Sequence, residues 1–417
     1  MLKKKLLTTS QADVMFVYLA YSLRYVYLIL LIPFYARVLG AEGYGVVLAA
    51  LSLMQTIWLF VNWGFSTAGT REITVAKPHE YADIFNIHFS ARLLISIGAL
   101  IFGLIAVYYS NVLSNHLLAG VFAVFLGIIS AFNLGWYFGG TGRPRDAVKL
   151  EVIGFILNLS LILSLVQERE DSWLAIFSIF CSGSIALALA HWWVRHEIKP
   201  IKLKVKEGLA LIHASKSIFI FSSAGIVLGA SSTYLLSTLS SNTEVGLYGS
   251  AERLVSAGLS LMGPVGAVFI PKVMKLFNEN VPLAYVYIRK ILYFLLAIAF
   301  TGLFVSEVFT ELIVKIVFGD QFAGSVDMLR CMALIFPFSA ASLILGSYIL
   351  VPLHQDKLLA KITVWGAVIS IVLAIPLTLY FHGLGMAIAR VLGTVISFLI
   401  LLICCHRLGY LKPLIKN

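Results

Sequence analysis

Long apolar stretches separated by short polar connections follow one another along the whole 417-residue chain. A helix that crosses a bilayer needs about 20 mostly apolar residues, and this measure predicts twelve spanning helices. Their approximate ranges are 14–36, 43–66, 86–109, 116–138, 148–167, 173–194, 217–239, 246–270, 287–306, 328–352, 361–381 and 385–406. The connections are too short for a sizeable soluble domain. The pattern therefore predicts an all-α polytopic membrane protein.

Composition agrees with this pattern and excludes a soluble protein. The chain is 60% hydrophobic and 12% charged, whereas soluble domains carry about 25% charged residues. The first apolar stretch has full spanning length and no clear small-residue cleavage site. We therefore interpret it as a retained helix and not as a secretory signal peptide.

The net charge is +11, and the distribution of the basic residues along the chain agrees with the predicted topology. With the amino terminus in the cytoplasm, 23 of the 31 Lys and Arg residues fall in cytoplasmic segments, whereas Arg37, Arg169 and Lys315 fall in connections on the opposite side. Cytoplasmic loops of membrane proteins carry such an excess. We therefore predict that both termini are cytoplasmic. The expected partner of these cations is the phospholipid membrane and not nucleic acid.

A basic run from Arg195 to Lys216 divides the chain into two halves. We predict an amino-terminal six-helix bundle over residues 1–197, a cytoplasmic basic linker over 198–216, and a carboxy-terminal six-helix bundle over 217–417. An even number of helices in each half requires that any repeat be parallel, and prolines in several helices favour alternating access by rocking.

The chain lacks the sequence patterns of common enzymes. Its four cysteines have no metal-site spacing, and the Gly139–Gly142 run lacks the Lys-Ser/Thr of an ATP-binding loop. No Ser, His and Asp spacing indicates a catalytic triad. We therefore expect no catalytic residues, no metal site and no cofactor.

Charged side chains inside the predicted helices are the most informative residues, because each costs at least about 2.5–3.5 kcal/mol at the bilayer centre. Arg24 lies near the centre of the first helix, with Tyr21 and Tyr25 beside it. The other arginines in or near the bilayer are Arg92, Arg253, Arg330 and Arg390. Glu252 is the one acid clearly inside a predicted helix.

One glutamate cannot neutralise five arginines. Surplus buried cations are expected where they line a water-filled cavity that receives an anion, and guanidinium forms two parallel hydrogen bonds with phosphate or pyrophosphate. For Arg24 the alternative is a buried pair with a carboxylate. For Arg92 and Arg330 the alternative is that they extend to the lipid headgroups. Glu252 is a candidate for ion coupling, and its alternative is a structural ion pair.

Several motifs occur in an order that is similar to that of polysaccharide flippases. They are Leu39-Gly40-Ala41-Glu42-Gly43-Tyr44-Gly45, the segment from Asn62 to Ile73 with Thr70-Arg71-Glu72-Ile73 at its end, Trp136-Tyr137-Phe138-Gly139-Gly140, Val245-Gly246-Leu247-Tyr248-Gly249-Ser250-Ala251-Glu252-Arg253, and the segment from Val317 to Arg330. By these residues the chain resembles the O-antigen (Wzx-type) flippases. This family is a branch of the multidrug/oligosaccharidyl-lipid/polysaccharide exporter superfamily. Gly139 stands where the family has Gln, and Asn62 where it has an acid.

The resemblance implies twelve helices in two six-helix bundles that form a V around a central cavity. It also implies translocation of undecaprenyl-pyrophosphate-linked O-antigen or related polysaccharide units from the cytoplasmic to the periplasmic leaflet of a bacterial inner membrane. The candidate residues for pyrophosphate and sugar are Arg24, Arg253, Arg390, Arg92, Arg330, Tyr21 and Tyr25, and the candidate for ion coupling is Glu252. Coupling to a proton or sodium gradient stays open. The polymerase and the chain-length regulator of the same pathway are further candidate partners.

Two other functions compete with this hypothesis. A cation-coupled antiporter for drugs or small molecules on the same architecture would need acidic groups in its cavity, and five arginines against one glutamate argue against it. A polymerase or ligase would place a large loop in the periplasm. The longest predicted external connection covers only residues 307–327, so an enzyme is not expected.

Overall fold

A computed structural model describes the backbone of residues 2–415, and it describes their side chains except those of 2–29, 217, 221–230, 264, 267, 268 and 415. Within this part the protein consists of helices and connections, without a β-strand. The α-helices are α1 (Leu2–Asn62), α2 (Phe65–Val75), α3 (Tyr81–Tyr109), α4 (Leu117–Ala131), α5 (Gly135–Gly140), α6 (Pro144–Leu165), α7 (Ser172–Ile198), α8 (Val205–Ala214), α9 (Lys216–Leu239), α10 (Asn242–Ser260), α11 (Gly263–Glu279), α12 (Val281–Val317), α13 (Ser325–Ala333), α14 (Ile335–Leu343), α15 (Asp356–Arg407) and α16 (Lys412–Ile415).

Within the described residues, eight helical stretches are long and apolar enough to cross a membrane. They are Leu30–Asn62, Pro78–Tyr109, Leu117–Gly140, Pro144–Leu165, Arg169–Ile198, Val281–Val317, Ser325–Leu350 and Asp356–Arg407. The helices also expose large apolar side chains that a soluble fold would bury, among them Ile101 on α3 and Phe304 on α12. Length, hydropathy and exposed apolar surface together define a multi-pass membrane protein.

Two of the longest helices contain a sharp bend where one residue leaves helical geometry. In α1 this residue is Gly40, with φ 66°, in the region that glycine adopts without strain. In α15 it is His382, with φ 51°. Each bend falls between two stretches that the sequence predicts as separate spans, 14–36 and 43–66 in the first case and 361–381 and 385–406 in the second.

Other predicted spans consist of more than one helix. A local hydrogen bond or a proline explains the position of each interruption. The stretch predicted over 116–138 breaks between α4 and α5, where the Asn133 side chain accepts a hydrogen bond of 2.7 Å from the N–H of Gly135. The stretch predicted over 246–270 ends with α10, and α11 begins with Pro264 in its first turn. Proline is favoured there because the first N–H groups of a helix have no partner within it.

The tenth predicted span, 328–352, consists of three helical pieces. Pro337 in the first turn of α14 has no N–H to donate to the carbonyl four residues earlier, at the end of α13, and this favours the break between the two helices. A π-helical turn over Ile344–Leu350 follows α14. It ends with a hydrogen bond of 3.0 Å from the N–H of Val351 to the carbonyl of Gly346.

The chain forms two compact units, Met1–Ile226 and Val227–Asn417. In the first unit α1 packs against α3, α4, α6 and α7, and α2 packs against α5. In the second unit α10 packs against α13 and α15, and α12 packs against α13 and α14. The division lies within α9, and the segment predicted as a linker belongs to the first unit, where α8 packs against α3.

Candidate functional site

In the first unit a buried guanidinium lies between two aromatic rings. Arg92 on α3 is 2% exposed, and its guanidinium carbon lies 5.5 Å from the ring centres of both Phe65 on α2 and Trp136 on α5. Its Nη1 donates to the carbonyl of His88 at 3.3 Å. Nε and Nη2 have no hydrogen-bond partner among the described residues. The rings stabilise the charge by cation–π contact but leave two donors available.

A histidine and a glutamate lie next to this guanidinium. His88, one turn before Arg92 on α3, is fully buried, and its Nε2 lies 2.9 Å from Oε2 of Glu72 on α2. The Glu72 side chain is 45% exposed. Among the described residues, no carboxylate forms an ion pair directly with Arg92. We name Phe65, Glu72, His88, Arg92 and Trp136 the Arg92 cluster.

Close glycine contacts explain how the sequence assembles the Arg92 cluster. A Cβ at Gly69 on α2 would lie 2.6 Å from the ring of Trp136, and one at Gly140 on α5 would lie 2.0 Å from Cγ2 of Ile73. The absence of side chains at these two positions lets α2 and α5 pack directly on each other. The segment from Asn62 to Ile73 and the Trp136–Gly140 motif, which are distant in sequence, therefore build one site.

A second charged group stabilises the connection between α5 and α6, which follows the Arg92 cluster in sequence. Arg143 donates from Nη1 and Nη2 to the two carboxylate oxygens of Glu197 at 2.8 and 2.7 Å, and the Tyr137 hydroxyl donates to the same carboxylate at 2.7 Å. Burial disfavours the charged guanidinium, but the hydrogen bonds and the charge of Glu197 outweigh it and raise the pKa of Arg143 above its usual value. The sequence does not indicate this pair, because Arg143 lies in a predicted cytoplasmic connection among other basic residues and Glu197 is distant in sequence.

In the second unit, Glu252 on α10 and Arg390 on α15 form an ion pair with 3.1 Å between Oε1 and Nη1. Their side chains are 16% and 10% exposed. Ser256, one turn after Glu252, donates to the same carboxylate at 2.6 Å. The buried Tyr248 lies one turn before Glu252 on the same helix. We name Tyr248, Glu252, Ser256 and Arg390 the Arg390 cluster.

The remaining predicted site residues do not join either cluster. Arg253 is half-buried and forms no hydrogen bond or ion pair with the described residues, although its charge acts on the neighbouring carboxylate of Glu252. Arg330 pairs with Glu311 at 3.2 Å, with side chains 39% and 77% exposed. Arg24, Tyr21 and Tyr25 lie in α1, but their side chains are outside the described residues.

The second unit also contains a cavity of about 190 Å³ between α9 and α15. Its lining residues are Ser231, Ser232, Tyr234, Leu235, Ser370, Ile371 and Ala374. The hydroxyl groups come from the small-residue part of α9 and from a facing position on α15. Elsewhere in the described part, no three His, Cys, Asp or Glu side chains gather as a metal site would require.

The fold of the chain is similar to that of solved membrane transporters. Its structure is similar to that of the lipid II flippase MurJ in an inward closed conformation, with a TM-score of 0.69, 13% identity and coverage of 97% of this chain and 90% of the other. It is also similar to an inward-facing multidrug resistance MATE family transporter of the MOP superfamily, with a TM-score of 0.65, 16% identity and coverage of 90% and 95%. The chain therefore has a membrane-transporter fold.

Sequence comparison then gives the family. The profile of the family described as "Polysaccharide biosynthesis protein" matches residues 10–277, which is more than half of the chain, and the protein belongs to this family. A "Putative O-antigen transporter" of Shigella dysenteriae is 24% identical over 398 residues, which cover 94% of this chain and 98% of the relative. The resemblance that the sequence motifs indicate is thereby confirmed.

Proposed function

We propose that the protein flips undecaprenyl-pyrophosphate-linked O-antigen or a related polysaccharide unit from the cytoplasmic to the periplasmic leaflet of a bacterial inner membrane. Family membership supports this function, as does similarity over nearly the whole length of a relative named for O-antigen transport. We also propose twelve crossings in two six-helix bundles that form a V and alternate access to a central cavity, with both termini cytoplasmic. The bends at Gly40 and His382 support the separation of the longest helices into individual spans.

The Arg92 cluster is the observation that carries this proposal. A guanidinium at 2% exposure, with two donor nitrogens that have no partner in the described part of the chain, has lost much of its hydration. A phosphate or pyrophosphate group would offset this cost by charge-assisted hydrogen bonds. A receptor for cationic drugs would instead need an acid without a partner, and Glu252 is already paired with Arg390.

The predicted arginines differ in how well they suit an anionic substrate. Among the described residues Arg92 has no carboxylate partner, and Arg253 forms no ion pair, although its charge acts on the neighbouring Glu252. Both therefore have hydrogen-bond donors available for a ligand. Arg390 and Arg330 each have an acid within ion-pair distance, and a substrate would have to compete with that acid. We therefore propose Arg92 and Arg253 as the principal cations of the path outside α1.

On α1 we propose that Arg24 binds the pyrophosphate and that Tyr21 and Tyr25 contact the sugar. Replacement of Arg24 by Ala is expected to abolish surface polysaccharide at normal protein levels, and Arg24→Lys is expected to retain part of the activity because the charge remains. Full activity of Arg24→Ala would contradict this role.

A proton or sodium gradient is the proposed energy source of the transport cycle. In that case Glu252 is the proposed residue that couples the ion to transport. Glu252→Gln protein in proteoliposomes, with and without each gradient, tests it. Loss of the gradient dependence supports coupling, and an unchanged dependence assigns Glu252 to a structural ion pair with Arg390.

The polymerase and chain-length regulator of the same pathway are the proposed protein partners.

Analysis of lipid-linked intermediates in a strain that lacks the protein tests the proposed function. We expect the lipid-linked repeat unit to accumulate on the cytoplasmic side, and its sugar composition then identifies the substrate. Normal surface polysaccharide together with increased drug susceptibility would favour the antiporter alternative and contradict the proposal.

A further inference from the structure

The segment that follows α7 is fixed to the first unit along its length. We call residues 199–209 the strap. Asn86 on α3 donates to the carbonyl of Pro200 at 2.9 Å and accepts from the N–H of Lys202 at 3.2 Å. Because Asn86 is 4% exposed, these hydrogen bonds hold the strap against a buried anchor and not against a mobile surface group.

Further contacts hold the second half of the strap. The N–H of Lys204 donates to Ser90 on α3 at 2.9 Å, and its ammonium group pairs with Asp83. In α8, a Cβ at Gly208 would lie 3.1 Å from the backbone nitrogen of Ala91. The strap is therefore docked on α3 through its backbone and through its one glycine.

In this docked position the apolar side chains of the strap remain at least half exposed. Ile201 is 52% exposed, Leu203 62%, Val205 50% and Leu209 55%. Exposed lysines alternate with them at positions 199, 202 and 206. A row of exposed aliphatic side chains interleaved with lysines is costly in water but suits a surface that is apolar inside and anionic outside.

The end of α7 indicates the depth of the strap. Trp192, less than two turns before the last residue of α7, is 57% exposed, and the Arg195 guanidinium lies 4.5 Å from the centre of its ring. Exposed Trp side chains prefer the interface between membrane and water. Because α7 ends at Ile198, this preference of Trp favours a position of the strap near the lipid headgroups.

We propose that the strap is a membrane-surface anchor that binds anionic phospholipid. Ile201, Leu203, Val205 and Leu209 enter the boundary between headgroups and acyl chains, and Lys199, Lys202 and Lys206 bind the headgroup phosphates. Each lysine near an anionic surface contributes about a fivefold gain in membrane affinity. The anchor would hold α3, which carries His88 and Arg92 of the Arg92 cluster, at a fixed depth in the leaflet.

The test measures the depth of the strap in the full-length protein. Leu203→Cys and Glu207→Cys are labelled with an environment-sensitive fluorophore, in a background whose native cysteines have been replaced and which still transports. Glu207 is the matched control, because on α8 it lies two residues from both Val205 and Leu209 and so points away from their flank. Proteins in nanodiscs with phosphatidylglycerol or with phosphatidylcholine alone are exposed to nitroxide-bearing lipids or to aqueous iodide.

We expect nitroxide lipids to quench the label at 203 more strongly than the label at 207, and iodide to show the reverse order. Quenching of the label at 203 by nitroxide lipids should be stronger in phosphatidylglycerol discs than in phosphatidylcholine discs. This difference should disappear when Lys199, Lys202 and Lys206 are changed to Gln, substitutions that leave Asn86 and Ser90 in place. Equal quenching at both positions would overturn the proposal. Protection of position 203 from both quenchers would do the same and would instead indicate a protein partner.

Discussion

Glu252 on α10 and Arg390 on α15 form an ion pair of 3.1 Å between side chains that are 16% and 10% exposed. The two residues are 138 positions apart in sequence, and each would be costly alone inside a membrane protein. Their pairing adds little net stability compared with apolar residues, but removal of one partner leaves an uncompensated buried charge. The pair therefore constrains how α10 and α15 pack.

The first prediction concerns this pair. Glu252→Gln or Arg390→Met alone should lower the free energy of unfolding by about 3–5 kcal/mol, and the double variant should recover most of that loss because no charge remains unpaired. Thermal unfolding of the purified protein in detergent measures the effect. Glu311→Gln, which breaks the exposed pair with Arg330, is the control and should cost less than about 1 kcal/mol.

A double variant that loses as much stability as the two single variants combined would contradict this account. Equal effects of Glu252→Gln and Glu311→Gln would also contradict it, because burial is what distinguishes the two pairs.

The second prediction uses two neighbouring glycines of the Trp136–Gly140 motif. A Cβ at Gly140 would lie 2.0 Å from Ile73, whereas a Cβ at Gly139 would have no atom within 4 Å. Gly140→Ala should therefore overpack the contact of α2 with α5 and lower the free energy of unfolding by about 1–3 kcal/mol. Gly139→Gln, which introduces the residue typical of the family, should leave stability and expression unchanged. The reverse order of the two variants in thermal unfolding would show that α2 and α5 do not pack as described.

The third prediction concerns the hydrogen bonds of the strap. Asn86→Ala removes the partners of Pro200 and Lys202, and at about 0.5–1.5 kcal/mol for each hydrogen bond the strap should open more often. Limited proteolysis should then cut within residues 199–209 faster than in the wild type. Asn115→Ala is the matched control, because Asn115 is exposed and, among the described residues, its side chain donates to the carbonyl of Asn111 in its own segment. Identical cleavage rates for Asn86→Ala and the wild type would show that Asn86 does not hold the strap.

The fourth prediction separates packing from charge at Arg92. Arg92→Met keeps an extended side chain between Phe65 and Trp136 and removes a buried charge, so the thermal unfolding midpoint should stay the same or rise. Transport should nevertheless be lost if the guanidinium binds the anionic substrate, and Arg92→Lys should retain part of it. Normal transport by Arg92→Met would assign Arg92 to packing alone.

Much of this organisation is readable from the sequence, because bilayer thickness fixes the length of apolar helices. Pro264 and Pro337 lie at breaks because proline lacks an N–H, and the motif glycines Gly69 and Gly140 mark close contacts. The bend at His382 is different. Its φ of 51° occurs in a residue without the freedom of glycine, and the N–H of the next residue, Gly383, donates to the Glu244 carboxylate on α10 at 2.9 Å, a tertiary contact that the local sequence does not indicate.

The candidate site was less predictable, because its partners come from distant positions. Sequence separates Arg390 from Glu252 by more than 130 residues, and nothing local indicates that they pair. The same holds for Arg143 and Glu197, and for Asn86, which docks part of the predicted cytoplasmic basic linker on α3. The hydropathy pattern shows which predicted helices contain charged residues. Only the tertiary packing determines which of those charges are neutralised by an ion pair.

Translocation by the purified protein tests the central claim most directly. Proteoliposomes would receive an undecaprenyl-pyrophosphate-linked oligosaccharide labelled on its sugar, and a lectin or glycosidase outside would report the fraction in the outer leaflet over time. We predict that wild-type protein equilibrates the label between leaflets much faster than protein-free vesicles do, and that Arg24→Ala and Arg92→Met protein do not. Equilibration no faster than in protein-free vesicles, by wild-type protein that is folded and correctly inserted, would contradict the assignment as a flippase.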